Sequence, residues 1–236
     1  MAAMESVAVG DKSMDVYVDH PTEGAPWPAI VLTYHREGID DFTKWVAQRY
    51  AEAGYLVAVP EVSHRIAADV DAKDRKYHLK DDEIVADIAA TVGYLKTRSD
   101  VAQGRLAIAG HCMGGHMQFL AAAALPDFAG IVACYPTGLF ESWGGPGPTP
   151  FERLAQIKCP VIGLFGNDDR NPSPHDADRL DAELTRLGIA HELHRYDGCG
   201  HGFQRPTKTE PVVRAAQDDS WQRIFAFLAE NLALPA

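Results

Sequence analysis

The chain has 236 residues, of which 46% are hydrophobic and 23% charged, a composition that is ordinary for a soluble globular protein and supplies enough apolar side chains for a sizeable core. Its formal net charge at pH 7 is −11 and no run of lysine or arginine stands out, which argues against nucleic acid and anionic membrane surfaces as partners. The N-terminal residues lack the basic and apolar regions of a signal peptide, and no apolar run approaches the length that spans a bilayer, so we expect a cytoplasmic protein.

The first half of the chain predicts strands and helices in alternation. Residues 5–19 alternate loosely between apolar and polar side chains around a glycine, which is typical of a hairpin. Residues 60–80 are polar and aperiodic and predict a long loop of the kind that carries substrate contacts. The other predicted elements are a strand over 29–34, a helix over 41–53, a strand over 55–59 and a helix over 81–98.

The second half continues this alternation, except that residues 136–150 are rich in proline and glycine and predict a surface loop. The predicted elements are a strand over 106–109, a helix over 113–125, strands over 130–135 and 160–165, a helix from 173 to Gly188, a strand over 192–196 and a helix over 211–231. No internal repeat or linker divides them. We therefore predict one α/β domain over residues 1–236, with a single doubly wound, mostly parallel sheet flanked by helices and an N-terminal hairpin.

A cysteine lies between one predicted strand and the helix that follows it, in the sequence GHCMGGH at 110–116. Small residues on both sides of Cys112 allow a sharp strand-to-helix turn, in which the side chain projects outward from a strained backbone. The thiol then lies at the positive end of the helix dipole, and the Met113 amide can donate to an oxyanion. A helix N-terminus and a nearby histidine favour a thiolate, so Cys112 is the candidate nucleophile.

Two more reactive groups follow later strands. The acidic pair Asp168 and Asp169 follows strand 160–165, and His201 follows strand 192–196. Ligands of open α/β sheets bind beyond the carboxyl ends of the strands, and the order nucleophile, acid, histidine is that of α/β-hydrolases. The pattern predicts a triad in which His201 takes the thiol proton and one of the two aspartates orients the imidazole.

Three segments carry a resemblance to a known family. They are GHCMGG at 110–115, GNDD at 166–169 and GHGF at 200–203. Together they resemble the motifs of the dienelactone hydrolase (carboxymethylenebutenolidase) family, and the similarity extends from the strand at 29 to the final helix. The resemblance implies an α/β-hydrolase fold and a triad of Cys112, Asp169 and His201 that opens a small lactone or carboxylic ester through an acyl-thioester intermediate. We expect no cofactor.

One position departs from the family pattern. Members usually place a glutamate after the first long strand, where it interacts with the resting thiol, but here that position holds His35 and Glu37 lies two residues later. Either His35 replaces the glutamate or Glu37 reaches the thiol. The resemblance also implies that the Arg36 amide is the second oxyanion donor, beside that of Met113.

Recognition of the substrate is expected to involve arginine. Arg205 matches a family position that binds a substrate carboxylate, and its planar guanidinium suits bidentate pairing with such a group. Arg65, in the long polar loop, is a second candidate contact, with plain solvation as the alternative. Tyr77, Phe140 and Trp143 could line an apolar wall, although core packing or loop anchoring explains them equally well. The expected partner is a small-molecule ester or lactone; Arg205 favours one that bears a carboxylate, and another small ester, lactone or thioester is the alternative.

Two other classes of protein fit parts of the sequence. The histidines around the elbow, with His191 and His194, suggest a metal-binding or redox-active thiol protein, but their spacing matches no zinc site and the four cysteines form no CxxC pair. A catalytically inert, ligand-binding homologue is the other alternative, which the substitution at His35 keeps open. Cys199 is either a buried neighbour of the site or a thiol that pairs with Cys112 on oxidation.

Overall fold

The structure, a computed structural model, describes residues 2–233. The strands are β1 (Ala3–Val9), β2 (Lys12–Asp19), β3 (Trp27–Thr33), β4 (Leu56–Pro60), β5 (Val101–His111), β6 (Ile131–Cys134), β7 (Val161–Gly166) and β8 (His191–Tyr196). The α-helices are α1 (Asp41–Glu52), α2 (Asp81–Thr97), α3 (Gly114–Ala124), α4 (Pro174–Leu187) and α5 (Pro211–Asn231). Short 3₁₀ helices cover Arg75–His78 and Phe151–Gln156. None of the helices within 2–233 is both long enough and apolar enough to cross a bilayer.

The strands form one eight-stranded sheet in the order β1-β2-β4-β3-β5-β6-β7-β8. The hairpin of β1 and β2 is antiparallel and joins the sheet through an antiparallel pairing of β2 with β4. All other pairings are parallel. The predicted fold class is therefore confirmed, and the N-terminal hairpin extends the sheet at one edge.

The central strands are buried along their whole length. Every residue of β4, β6 and β7 is buried, as expected where helices cover both faces of a parallel sheet and the strands become continuous apolar runs. On one face Tyr50 of α1 packs edge-on against Trp221 of α5, with ring centroids 5.4 Å apart. Helices α2 and α3 contact each other and the sheet.

Helix α4 shows how closely local sequence sets element boundaries. Ser173 caps its N-terminus in a reciprocal capping box with Asp176, and Pro174 occupies the first turn. Gly188 ends the helix in the left-handed conformation at φ 68°. Both boundaries agree with the prediction.

Strand β5 is longer than predicted. It begins at Val101, which pairs with Trp27 ahead of a register shift. The exposed residues Gln103 and Gly104 interrupt the apolar run, so the sequence pattern does not reveal this first part of the strand.

The parallel strands direct the chemistry to one edge of the sheet. Strands β5, β7 and β8 are parallel and end at His111, Gly166 and Tyr196. Residues that follow these strands therefore emerge on the same side, at the carboxyl edge where open α/β sheets bind ligands.

Candidate active site

Cys112 occupies the sharp turn between β5 and α3. Its backbone φ is 54°, in the left-handed region that side chains other than glycine rarely adopt. The turn is held on both sides, since the Cys112 amide donates to the Cys134 carbonyl at 3.0 Å and the Cys112 carbonyl accepts from the Thr137 amide at 2.9 Å. The surrounding structure thus imposes the strained conformation that points the thiol away from the sheet.

The glycines of the elbow are required by close packing. A Cβ on Gly114 would lie 2.7 Å from the backbone of Thr33, and a Cβ on Gly115 would lie 2.2 Å from the Cβ of Pro136. The Thr33 hydroxyl also contacts the Gly114 carbonyl at 2.9 Å. Helix α3 therefore begins in direct contact with the end of β3 and with the loop after β6, which fixes the position of Cys112.

His201 bridges the thiol and a buried carboxylate. Its Nε2 lies 2.9 Å from Sγ of Cys112, and its Nδ1 lies 2.8 Å from Oδ2 of Asp169. The other oxygen of Asp169 accepts a hydrogen bond of 2.9 Å from the Asn171 amide, and this carboxylate is only 2% exposed. Asp168 is exposed. Of the two candidate aspartates, the structure therefore brings Asp169 to the histidine.

The surroundings of His201 determine where the proton resides. Burial alone lowers the pKa of a histidine, but the hydrogen bonds to Asp169 and Cys112 outweigh it and raise the pKa of His201 to about 9. At neutral pH the ring therefore carries two protons, with Nδ1–H donating to the carboxylate and Nε2–H directed at Sγ.

The two residues predicted to supply oxyanion donors, Met113 and Arg36, line the cavity into which the thiol of Cys112 opens. Met113 directly precedes α3, where amides have no intrahelical acceptor. Within 2–233 neither the Met113 amide nor the Arg36 amide has a protein acceptor, so both are available to a ligand oxygen.

His35 has a carboxylate at each ring nitrogen. Nδ1 contacts Oε2 of Glu37, and Nε2 lies 2.9 Å from Oδ1 of Asp40, the N-cap residue of α1. Arg205 reaches the same region, with Nη2 3.0 Å from Nδ1 of His35 and 3.7 Å from Oε2 of Glu37. Although burial raises the pKa of Glu37, the hydrogen bond from Arg36 and the charge of His35 outweigh it and lower that pKa.

Both predicted thiol-activating residues therefore lie in the wall of the cavity, but they are engaged with each other and with arginine. Glu37 accepts from Nε of Arg36 at 2.9 Å in addition to its contact with His35. Among the described residues, the polar side chain in contact with Sγ of Cys112 is His201. The structure thus brings His35 and Glu37 to the site without bringing either to the thiol.

The thiol opens into a cavity of about 780 Å³. The cationic side chains in its lining are Arg36, Lys73, Lys76, Arg170 and Arg205. Tyr77 and Trp143 also line it, whereas Phe140 packs instead on Phe151 and beneath the guanidinium of Arg179. The lining also contains the carboxylates of Glu37, Glu141 and Asp169. The cavity is therefore wide, charged on several sides with more cationic than acidic side chains, and lined by aromatic rings on part of its wall.

The two arginines predicted to contact substrate are placed differently. Arg205 lines the cavity, with its guanidinium over the Phe42 ring. Arg65 is not among the lining residues and forms two hydrogen bonds, of 2.6 Å and 2.7 Å, with the buried carboxylate of Asp87. The expectation that Arg65 contacts substrate is therefore not supported by its position, because its donors are used in an internal ion pair.

Tyr135 is a site residue that sequence reasoning missed. It follows β6 with a φ of 39°, and its ring packs edge-on against His201 with centroids 5.2 Å apart. An apolar strand followed by tyrosine carries no signal for a positive φ. Arg170 was also missed, although its place directly after Asp169 could have indicated it.

The side chains that suggested a metal-binding or redox-active protein make other contacts or are buried. Among residues 2–233, no three or more His, Cys, Asp and Glu side chains are grouped to hold a metal ion. The buried His116 contacts the Gly138 carbonyl and Asp81 instead. Cys199 is fully buried and unpaired, and burial raises the pKa of its thiol.

Solved structures share this architecture over nearly the whole chain. A candidate dienelactone hydrolase from Klebsiella pneumoniae subsp. pneumoniae superposes with a TM-score of 0.86 at 24% identity, covering 98% of each chain. A dienelactone hydrolase-like promiscuous phosphotriesterase from metagenomic libraries gives 0.81 at 18% identity and 99% coverage of each. The fold is that of the α/β-hydrolases.

Sequence comparison then narrows the class. The sequence model of the dienelactone hydrolase family matches residues 14–232, and the chain belongs to this family. The carboxymethylenebutenolidase of Rhodococcus opacus is 30% identical over 226 residues, which cover 92% of this chain and 87% of that protein. These matches confirm the predicted family and with it the activity class, the hydrolysis of small esters or lactones.

Proposed function

We propose that this protein hydrolyses a small lactone or carboxylic ester with Cys112 as nucleophile, His201 as acid and base, and Asp169 as the group that orients the imidazole. The observation that carries the proposal is the position of His201, whose two nitrogens lie 2.9 Å from Sγ and 2.8 Å from the buried carboxylate. A nucleophile, a base and an orienting carboxylate in this geometry are the parts required for covalent acyl transfer.

The first half-reaction follows from where the proton starts. With the shared proton on Nε2 of His201, Sγ of Cys112 attacks the carbonyl carbon and forms a C–S bond. The carbonyl oxygen takes up the displaced electron pair, stabilised by the Met113 and Arg36 amides. When the C–O bond to the alcohol breaks, Nε2 donates its proton to the leaving oxygen, and an acyl-thioester remains.

The second half-reaction reverses these roles. Water enters, and Nε2 of His201 takes its proton while the hydroxyl oxygen bonds to the thioester carbon. The C–S bond then breaks and the carboxylic acid leaves; with the acid ionised, one proton passes to solvent and His201 retains the other. Activation of the thiol is assigned to His201, because Glu37 is engaged by His35 and Arg36.

The substrate class follows from the cavity lining. Arg205 presents a guanidinium with 37% side-chain exposure in the same cavity as Cys112, which suits a carboxylate carried by the substrate. The Rhodococcus opacus relative is a carboxymethylenebutenolidase. We therefore assign a compact, carboxylate-bearing lactone or ester as the preferred substrate.

The proposal is tested by hydrolysis of a dienelactone and of p-nitrophenyl acetate, combined with intact-mass analysis after rapid acid quenching. Wild type is expected to hydrolyse both and to show an acetyl adduct that maps to Cys112. Cys112→Ala should lose at least about a thousandfold in kcat/KM and show no adduct, because removal of the nucleophile leaves only binding and oxyanion stabilisation.

Cys199→Ser is the matched control, since this second thiol lies two residues from His201 but is buried. It should retain the activity and the adduct. Equal rates in wild type and Cys112→Ala would contradict the thiol mechanism. Labelling of Cys112 without turnover of either substrate would instead favour the inert, ligand-binding homologue.

A further inference from the structure

A second cavity lies behind one wall of the active-site cavity. It measures about 470 Å³ and lies between α2, α3 and the glycine-rich segment 144–147. Val85, Leu120, Ala124 and Pro146 give it apolar surface, and the charged residues Asp81, Asp82 and Arg153 line the rest of it. Within residues 2–233, Trp143 is the one residue that lines both this cavity and the cavity of Cys112.

Trp143 is held in place from several directions. Its ring stacks on the buried imidazole of His116, with centroids 3.6 Å apart and planes 7° from parallel. Its backbone amide donates to Oδ1 of Asp81 at 3.2 Å, and its carbonyl accepts from the Asp81 amide at 3.1 Å. The indole is thus fixed to the N-terminus of α2 and to the helix that begins at the nucleophile.

The support behind the indole is equally fixed. His116 is fully buried, and its ring nitrogens contact the Gly138 carbonyl and Oδ1 of Asp81, each at 2.7 Å. The residue after Trp143 is Gly144, where a Cβ would lie 2.6 Å from the side chain of Lys80. The backbone at Gly144 is therefore packed directly against Lys80, and the indole next to it forms a partition between the two cavities.

We propose that Trp143 is a specificity-determining residue that limits substrate length, and that the cavity behind it can bind a longer alkyl chain once the indole is shortened. This inference rests on the proposed hydrolysis of esters at Cys112. In wild type the partition restricts the site to compact esters and lactones. The apolar surface of the second cavity suits methylene groups, whose transfer from water is favourable.

The test compares kcat/KM for p-nitrophenyl esters from acetate to decanoate, and for acetate esters of alcohols of increasing length, below the micellar range. Wild type is expected to lose activity as the chain lengthens in at least one series. In Trp143→Ala and Trp143→Leu, the ratio of kcat/KM for the octanoate ester to kcat/KM for the acetate ester, or the corresponding ratio in the alcohol series, should rise by about tenfold or more. A factor of this size corresponds to the transfer free energy of roughly two further buried methylenes.

Two variants serve as controls. Trp143→Phe keeps a ring against His116 and should keep the wild-type length profile to within about twofold. Phe140→Ala removes an aromatic ring from the same loop that lines neither cavity, and should also leave the profile unchanged. A melting curve of each variant shows that the comparison is made on folded protein.

A wild-type profile that is flat in both series would overturn the inference without any variant, as would an unchanged ratio in folded Trp143→Ala or Trp143→Leu. These outcomes differ from a failure of the proposed mechanism. If Cys112→Ala retained hydrolysis of p-nitrophenyl acetate, the thiol mechanism would fail, whereas an unaltered length profile with Cys112-dependent hydrolysis would reject only the role of Trp143.

Discussion

Arg65 and Asp87 form an ion pair beneath the loop that leads into α2. Nη1 of the arginine lies 2.6 Å from Oδ2 and Nη2 lies 2.7 Å from Oδ1, while the carboxylate is fully buried and the arginine side chain is 16% exposed. The hydrogen bond to Asp87 raises the pKa of the guanidinium above its ordinary value. This pairing connects the long loop after β4 to α2.

Arg65→Ala should therefore reduce stability and leave substrate binding unchanged. Removal of the arginine leaves the buried carboxylate with Nε2 of His64, 3.2 Å from Oδ1, as its remaining side-chain partner, and breaking a buried ion pair in this way costs about 3–5 kcal/mol in comparable cases. Urea unfolding of the variant measures the loss. Arg186→Ala is the control, since Arg186 pairs with Glu183 on the surface of α4 and should change the free energy of unfolding by less than about 0.5 kcal/mol. A higher KM for a carboxylate-bearing lactone at unchanged stability would show that Arg65 contacts substrate after all.

Gly115→Ala should destabilise the protein and reduce activity together. The added methyl group would lie 2.2 Å from the Cβ of Pro136, so α3 or the loop after β6 must move, and overpacking of this kind costs about 1–3 kcal/mol. The same displacement should lower kcat, because Cys112 lies three residues earlier. Guanidinium unfolding and kcat for p-nitrophenyl acetate measure the two effects.

Gly93→Ala is the matched control for that substitution. Gly93 lies inside α2 with no atom within 4 Å of an added Cβ. Alanine should therefore be neutral or stabilising there by up to about 1 kcal/mol, as expected from helix propensity. If Gly115→Ala behaved like Gly93→Ala, close packing at the elbow would not be what requires glycine.

Much of the fold could be predicted because its signals are local. The capping residues of α4, the apolar runs of β3, β4 and β7, and the helical spacing in α2 are each determined within a few residues. The meeting of Cys112, Asp169 and His201 could also be expected, because the carboxyl ends of parallel strands lie at one edge of the sheet. The order of these three residues in the chain and their positions after the strands were thus enough to predict that their side chains meet.

The remaining parts of the site depend on contacts between distant segments. Arg65 binds the carboxylate of Asp87, 22 positions later, and Trp143, in the loop after β6, stacks on His116 of α3. Nothing in the local sequence distinguishes an arginine that pairs internally from one that faces a ligand. The loop after β3 is similar, since the environment of His35 is completed by Arg205, which is 170 residues away.

Arg205→Gln should distinguish charged from neutral substrates. Loss of the guanidinium should raise KM for a carboxylate-bearing lactone by roughly tenfold to a hundredfold, the range of a hydrogen bond to a charged group. The kcat/KM for neutral p-nitrophenyl acetate should change by no more than about threefold. Steady-state kinetics on both substrates measures the difference.

Arg170→Gln provides the comparison for this prediction, because Arg170 also lines the cavity but is not the residue to which we assign binding of the carboxylate. A smaller effect, within about threefold, is expected on the lactone. If the two variants raised KM equally, the cavity would attract the carboxylate through its total charge, and recognition could not be assigned to Arg205.

The activity should decline at alkaline pH as His201 loses its proton. Because the pKa of His201 is about 9, the imidazolium that protonates the leaving group persists through neutral pH, and the alkaline limb of kcat/KM should lie near pH 9. An alkaline limb near pH 6.5, the ordinary pKa of histidine, would show that Asp169 and Cys112 do not raise the pKa of His201. The measurement is a pH profile with a neutral ester.

Asp169→Asn should move that alkaline limb toward neutral pH, because the amide cannot match the carboxylate as an acceptor for Nδ1–H. The folded pKa of His201 lies above its unfolded value, so its proton-linked stability is fully present below about pH 6.5 and is lost as pH rises through about 9. In Asp169→Asn the unfolding free energy should therefore depend less on pH across this interval. Asp168→Asn, which changes the adjacent exposed carboxylate, should alter neither profile. If it shifted the limb as far as Asp169→Asn, a general loss of negative charge would explain the effect, and the hydrogen bond from the imidazole to Asp169 would not.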